Sequence, residues 1–363
     1  MISERLSKIK PSGVRRIFDL AGQMKDPINL SIGEPDFDIP PPLKEEGIDW
    51  IRKGFNKYTP TQGIPELREK IALYLKKKGI HFEEVMVTAG VTGGLLLSSL
   101  ALINPGDEII IPDPYFVMYE YQVLLMGGVP VFVDTYPDFR LREEKLIEKL
   151  SKKTKFIVIN SPNNPTGGLY PKEDLMLVAR VARERDLLIV SDDIYDNFVF
   201  DAPACPCMGQ LYEKTLTLGG FSKGWAMTGW RLGYAAGPRE ILQQMTTLQQ
   251  YTFSSVNSFA QKAAIKALDF SVDDYIRAYK KKRDLIYEGL REKFQVQKPL
   301  GAFYIFPEVP GGNGEAFVER AIQQNLFIIP GSVFSKRNTH VRISFAASDE
   351  MLLKGIEVLN RIS

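Results

Sequence analysis

The residues best suited to chemistry lie in Gly219-Gly220-Phe221-Ser222-Lys223-Gly224-Trp225, between an alternating run, residues 215–218, and an apolar run, residues 232–236, that both read as strands. A lysine on a turn floored by apolar neighbours is partly desolvated. That lowers its pKa and makes the amine a usable nucleophile toward a carbonyl. Arg231 follows eight positions later, a permanent cation whose planar fork suits a phosphate or a carboxylate. Taken alone, Lys223 reads more simply as a turn residue facing water. Its weight comes from the company it keeps.

That company is set by the elements around it. From residue 85 the chain alternates short apolar runs with helical patterns: runs at 85–87, 108–111, 129–133, 156–159 and 187–190, with helical patterns between them. Repeated units of this length predict a mostly parallel, doubly wound α/β sheet, and ligand groups in such sheets lie beyond the carboxyl ends of the strands. Phe116, Asn164, Asp192 and Lys223 all follow strand ends. Thr88-Ala89-Gly90-Val91-Thr92-Gly93-Gly94 joins a strand to an apolar helix, an arrangement whose free N–H groups and helix dipole face an anion. It lacks the spacing of a nucleotide P-loop or a dinucleotide turn, and its glycines serve tight helix packing equally well. Gly33 permits close backbone approach to a ligand, or simply a turn before Pro35. The simpler reading of Asp192 is a helix cap, of Asn164 a turn residue before proline, of Phe116 a core aromatic, of Tyr58 a surface loop residue and of Arg342 an exposed strand arginine. A carbonyl-reactive lysine beside a phosphate anchor is what pyridoxal 5'-phosphate requires.

With 363 residues the chain is long enough for a large α/β unit and a smaller partner. Long amphipathic helices fill residues 239–293, one of them expected to link the two. The remainder reads as α+β: strands at 303–306, 327–329 and 341–345, helices at 314–325 and 349–362. A net charge of +2 argues against nucleic acid or an anionic membrane as partner. No apolar run reaches the roughly 20 residues needed to span a bilayer, and the first residues lack the apolar core of a signal peptide. Cys205 and Cys207, in Cys-Pro-Cys, read as two unbridged thiols and a poor metal site. A reducing cytoplasm is expected.

Seven segments in order resemble the class I group of fold-type I pyridoxal-phosphate aminotransferases, which includes prokaryotic aspartate and aromatic aminotransferases. They are Ser31-Ile32-Gly33-Glu34-Pro35-Asp36-Phe37, Tyr58-Thr59-Pro60-Thr61-Gln62-Gly63, Ser161-Pro162-Asn163-Asn164-Pro165-Thr166-Gly167, Asp192 with Tyr195, Phe221 through Arg231, Gly301-Ala302-Phe303-Tyr304-Ile305-Phe306, and Val341-Arg342-Ile343-Ser344-Phe345-Ala346. The resemblance implies a large cofactor-binding domain over residues 45–280, a small domain over 281–363, and an N-terminal segment, 1–44, joining the small domain. It implies that Lys223 holds the cofactor covalently and then moves the substrate's α-proton. Asp192 would pair with the pyridine nitrogen and keep it protonated. Tyr195 and Asn164 would donate to the phenolic oxygen, and Phe116 would stack on the ring. Arg231, Ser222 and the N–H groups of Val91 and Thr92 would take the phosphate, with Tyr58 reaching the phosphate of a neighbouring subunit. Arg342, helped by Asn164 and Gly33, would bind the substrate α-carboxylate. Phe303 and Tyr304 are read as small-domain core, without a site role.

The implied activity is a ping-pong transfer of an amino group from an L-amino acid, aspartate or an aromatic or broader donor, to a 2-oxo acid such as 2-oxoglutarate, by a homodimer with shared sites. Two features depart from the family pattern. Gly220 replaces a serine that often contacts phosphate, and Thr92 stands where some aspartate-specific members carry a lysine for the second carboxylate. Two rivals remain at this level: a cofactor-dependent β-lyase acting on sulfur-containing amino acids, and a non-catalytic aminotransferase-like regulatory domain. Fold alone does not separate them.

Overall fold

The computed structural model describes residues 2–201 and 205–363. The chain begins with helix α1 (Gly13–Ala21), capped by the Ser12 hydroxyl, which accepts from the Arg15 N–H. Strand β1 (Ile28–Asn29) and helices α2 (Pro41–Arg52) and α3 (Pro65–Lys77) follow. Pro65 occupies the first turn of α3, where its missing N–H costs nothing. Leu67, Ile71 and Leu75 form the buried stripe, and Lys76 and Lys77 complement the dipole at its end.

The alternating section gives β2 (Glu84–Thr88), α4 (Gly90–Leu102), β3 (Glu108–Asp113), α5 (Met118–Leu125), β4 (Val129–Asp134), α6 (Glu143–Lys149), β5 (Thr154–Asn160), α7 (Lys172–Glu184), β6 (Leu188–Asp192), β7 (Thr215–Gly220) and β8 (Gly233–Gly237). These strands form one seven-stranded sheet in the order β2-β8-β7-β6-β5-β3-β4, parallel except for β8, which runs antiparallel to both neighbours. Successive residues alternate between its two buried faces. Ile109, Ile111, Phe156 and Val158 pack on one side, and Ile110, Ile157, Ile159 and Ile189 on the other. Cover on both faces is why these strands read as continuous apolar runs rather than as alternation. The register sets Asn160 beside Asp192 at the carboxyl edge.

Helices α8 (Arg239–Thr252), α9 (Ser258–Ala267) and α10 (Asp273–Leu290) lead to β9 (Tyr304–Ile305), α11 (Gly314–Gln323), β10 (Leu326–Phe327), β11 (Ile329–Pro330), β12 (Val341–Ser344) and α12 (Asp349–Ile362). Strands β11, β12 and β9 form an antiparallel three-stranded sheet. The single strand expected over 327–329 is two strands serving different sheets. Leu326 and Phe327 pair with Ile28 and Asn29 of β1, whereas Ile329 pairs with Arg342. All four residues from Leu326 to Ile329 are fully buried, so the run carried the apolar signal of a strand without the change of partner. Strand β1 was hidden for a related reason: two residues are too few for a periodic pattern. Ile17, Ala21 and Leu30 from the N-terminal section pack into one core with Ile286, Leu290, Phe317 and Leu359. Cys205 and Cys207 are buried and unbridged. Among the described residues no helix is long and apolar enough to cross a membrane.

Candidate active site

A cavity of about 390 Å³ opens at the carboxyl edge of the large sheet, facing the three-stranded sheet. Ten of the sequence-predicted residues besides Ser222 line it: Gly33, Val91, Thr92, Phe116, Asn164, Asp192, Tyr195, Lys223, Arg231 and Arg342; Ser222 lines it too. Tyr58 does not. It is 89% exposed and stands outside the cavity of its own chain.

Strand β7 ends at Gly220 and places Lys223 in the turn beyond. Its Nζ donates to the Gly33 carbonyl at 2.6 Å and lies about 6 Å from the ring centres of Tyr195 and Phe303. Burial lowers its pKa to about 8; Glu34 pulls the other way, and the Arg342 and Arg231 cations add to the lowering. About half of the amine is therefore neutral near pH 8.

Strand β6 ends in Asp192, whose carboxylate accepts from the Tyr119 hydroxyl at 2.7 Å and from the Ile194 N–H at 3.2 Å. Burial raises its pKa to about 6, although both hydrogen bonds favour the anion. Asn160, at the end of β5, donates to the Asp192 carbonyl at 2.9 Å and accepts from the Asn164 N–H at 2.9 Å. One side chain thus fixes the neighbouring strand end and the loop that carries Asn164.

At the far side of the cavity floor, Gly90 opens α4 with φ +68. A Cβ built there would come within 2.8 Å of an Arg231 guanidinium nitrogen, so only glycine lets the arginine approach the helix N-terminus. Arg231 is itself left-handed, with φ 53 and ψ 54, and its guanidinium donates to the Thr228 carbonyl at 2.8 Å. Thr228 in turn bonds the Glu34 carboxylate. The first N–H groups of α4 have no partner within the helix, and with Arg231 they form an anion cradle.

The opposite wall carries Arg342, on β12 and 2% exposed. It donates to Asn164 Oδ1 at 3.0 Å and to the Ser31 carbonyl at 2.8 Å. Its Nε has no partner among the described residues. The guanidinium lies 4.5 Å from the ring centres of both Tyr304 and Phe334. The expectation that Tyr304 is core holds for its ring, which is 1% exposed. Its hydroxyl, however, meets that of Tyr195 at 2.9 Å on the cavity wall. Tyr119, Asn160 and Tyr304 are site residues that the sequence reading passed over. Spacing marked the first two: Tyr119 lies one helical turn beyond Phe116, and Asn160 closes an apolar run. Helix α1 contributes Val14, Arg15 and Phe18 to the lining, with its capping residue Ser12, from a stretch legible only as an amphipathic helix.

The donor set can hold a phosphorylated, ring-bearing aldehyde: a cation and free N–H groups at one end, a carboxylate at the floor, an aromatic wall, a low-pKa amine and a second, buried guanidinium. Comparison with known proteins decides the family. Residues 25–359 match the family described as aminotransferase class I and II. The chain belongs to that family. It is 40% identical to a probable aspartate aminotransferase of Methanocaldococcus jannaschii, each chain being covered in full. It is 38% identical to aromatic-amino-acid aminotransferase 2 of Thermococcus litoralis, over 99% of this chain and 98% of that one. A structure of Thermus thermophilus aspartate aminotransferase with maleate superposes with a TM-score of 0.95, at 35% identity and full coverage of both chains. The expected fold and aminotransferase class are borne out: this chain is a transaminase, and the β-lyase and regulatory readings are not favoured.

Proposed function

We propose that the chain is a pyridoxal 5'-phosphate enzyme that takes the amino group from aspartate or an aromatic L-amino acid and passes it to 2-oxoglutarate. The observation that carries this reading is the convergence of Lys223, Asp192, Arg231 and Arg342 on one cavity. When bound, the cofactor supplies an electron sink for the substrate's α-carbanion. Arg231, Ser222 and the N–H groups of Val91 and Thr92 would hold its phosphate, and Phe116 would cover its ring. As a carboxylate, Asp192 would hold a proton on the cofactor's ring nitrogen; Tyr119 supports the anion through its hydrogen bond. Tyr195 and Asn164 donate to the phenolic oxygen.

Arg342 binds the substrate α-carboxylate. A guanidinium has five N–H donors. Two are engaged by Asn164 and Ser31, so the rest, Nε included, serve a carboxylate without releasing either anchor. Lys223 Nζ, neutral above pH 8, accepts the proton of the substrate α-carbon. Its hold on the Gly33 carbonyl keeps it on the Arg342 side of the cavity, where that carbon is delivered. The mouth is apolar at Val14, Phe18 and Ile32, with Arg15 beside them. That lining suits an aromatic side chain, and Arg15 suits a second carboxylate, so both donor classes are compatible with this wall.

The exposure of Tyr58 supports its assignment to the phosphate of a second subunit, and hence a homodimer with shared sites. The two-domain division, 45–280 and 281–363 with 1–44 joining the latter, belongs to the same reading; it is supported by the packing of Ile17, Ala21 and Leu30 among residues of the C-terminal section.

The test is a half-reaction. Holoenzyme mixed with single L-amino acids, without oxo acid, should lose the visible absorption of the lysine-linked cofactor and regain it when 2-oxoglutarate is added. The fastest donor names the substrate. Absorption that no amino acid alters would overturn the reading.

A further inference from the structure

Tyr304 touches three groups that the proposed chemistry uses. Its hydroxyl lies 2.9 Å from that of Tyr195, the two rings meeting edge to face at 83°. The Arg342 guanidinium lies over its ring at 4.5 Å and over that of Phe334 at the same distance. Its hydroxyl also closes against Gly33, where an added Cβ would sit 2.6 Å from the phenolic oxygen. The Gly33 carbonyl is the acceptor for Lys223 Nζ. Pairing with Ser344 across β9 and β12 fixes the backbone that carries the ring.

Two phenols 2.9 Å apart hold two protons, and only one can lie between the oxygens. The distance allows either hydroxyl to donate; Gly33 crowds the Tyr304 oxygen and takes no hydrogen bond from it, which favours Tyr304 as the donor. The proton of Tyr195 is then left to turn into the cavity. The geometry points to Tyr304 as a positioning residue: its hydroxyl donates to Tyr195 and thereby makes Tyr195 an outward donor, while its ring holds the guanidinium of Arg342 in plane for a carboxylate. The two halves of the side chain serve the two halves of the site. This rests on the reading above, in which Tyr195 donates to the cofactor's phenolic oxygen.

The two roles separate by substitution. Tyr304→Phe keeps the ring and removes the hydroxyl. A donor to the cofactor's phenolic oxygen would stabilise its anionic form, so weakening that donor should raise the pH at which the visible absorption of the loaded enzyme changes. The expected rise is about half a unit, as a neutral hydrogen bond of ordinary strength implies. KM for the amino acid should stay within about twofold, because the ring remains on Arg342. Tyr304→Leu removes both parts and should raise KM about tenfold as well.

The decisive comparison is the four-protein cycle of wild type, Tyr304→Phe, Tyr195→Phe and the double variant. If Tyr304 acts through Tyr195, the double variant has the same midpoint as Tyr195→Phe alone. Midpoint shifts that add, or a Tyr304→Phe variant that raises KM with an unmoved midpoint, overturn the proposal and leave the proposed function standing. A loaded Tyr195→Phe variant with an unmoved midpoint removes the Tyr195 role itself, and this proposal with it.

Discussion

The cavity has two sides built in different ways. Its floor is the carboxyl edge of the large sheet, where Asp192 and the Lys223 turn close strands buried on both faces. Each floor residue owes its place to backbone: a strand end, a helix N-terminus, a turn. Its wall is Ser31, Gly33, Tyr304 and Arg342, brought together from sections of chain more than 250 residues apart and held by side chains. On the proposed reading the floor holds the cofactor, which stays, and the wall holds the substrate, which comes and goes. Floor residues should accordingly govern cofactor retention, and wall residues substrate affinity and turnover.

The largest effect should come where the sides meet. Lys223→Ala removes both the covalent link and the α-proton acceptor, and kcat should fall by at least about a thousandfold, read by single-turnover absorbance. Next, Arg342→Leu withdraws a buried cation from a carboxylate. A loss of about 2–5 kcal/mol lowers kcat/KM by some thirtyfold to several thousandfold. The same variant should keep the visible absorption of the bound cofactor. If it lost the cofactor instead, the division between floor and wall would fail.

Asp192→Asn provides the reverse case. Loss of a charged hydrogen bond, about 1.5–3 kcal/mol, should weaken cofactor binding roughly ten- to a hundredfold, measured by equilibrium dialysis. Tyr119→Phe is milder, about three- to tenfold in the same measurement. Tyr119 lowers the Asp192 pKa against the burial that raises it to about 6, so this variant should move acid-side cofactor loss to higher pH.

The smallest effect concerns pH alone. Lys223 in the cofactor-free chain has its pKa lowered to about 8, whereas an ordinary lysine titrates near 10.4. Reductive labelling by a small aldehyde at pH 8 should favour Lys223 over a surface lysine by roughly a hundredfold in neutral amine, located by peptide mass mapping. The sign for stability follows. The folded chain binds fewer protons at Lys223 than the unfolded chain between pH 8 and 10.5, so this group's contribution to stability rises through that window. Equal labelling of all lysines would remove the desolvated-turn argument.

The same division explains what was legible beforehand. Floor residues follow apolar runs and glycine turns, which are local signals, so Asp192, Asn164, Phe116 and Lys223 could be found by position along the chain. Arg342 and Gly33 were found through motif resemblance, since nothing near them in sequence says that they meet. Tyr304 shows the limit. Its ring is buried as expected, but its role depends on Tyr195, Gly33 and Arg342, and no period within residues 301–306 encodes those partners. The stretch 326–330 failed likewise: burial was evident, but the change of sheet between Phe327 and Ile329 was not.

The pairing of Ile28 with Leu326 also sets a timetable. During synthesis the sheet that forms the floor is complete once Gly237 has emerged. Strand β1, made before that sheet, waits for a partner nearly 300 residues later, and Arg342 emerges later still. Contacts so distant along the chain form slowly. A nascent chain can therefore own a finished floor while its wall is only half made, and the stretch from Tyr304 to Arg342 supplies the missing half.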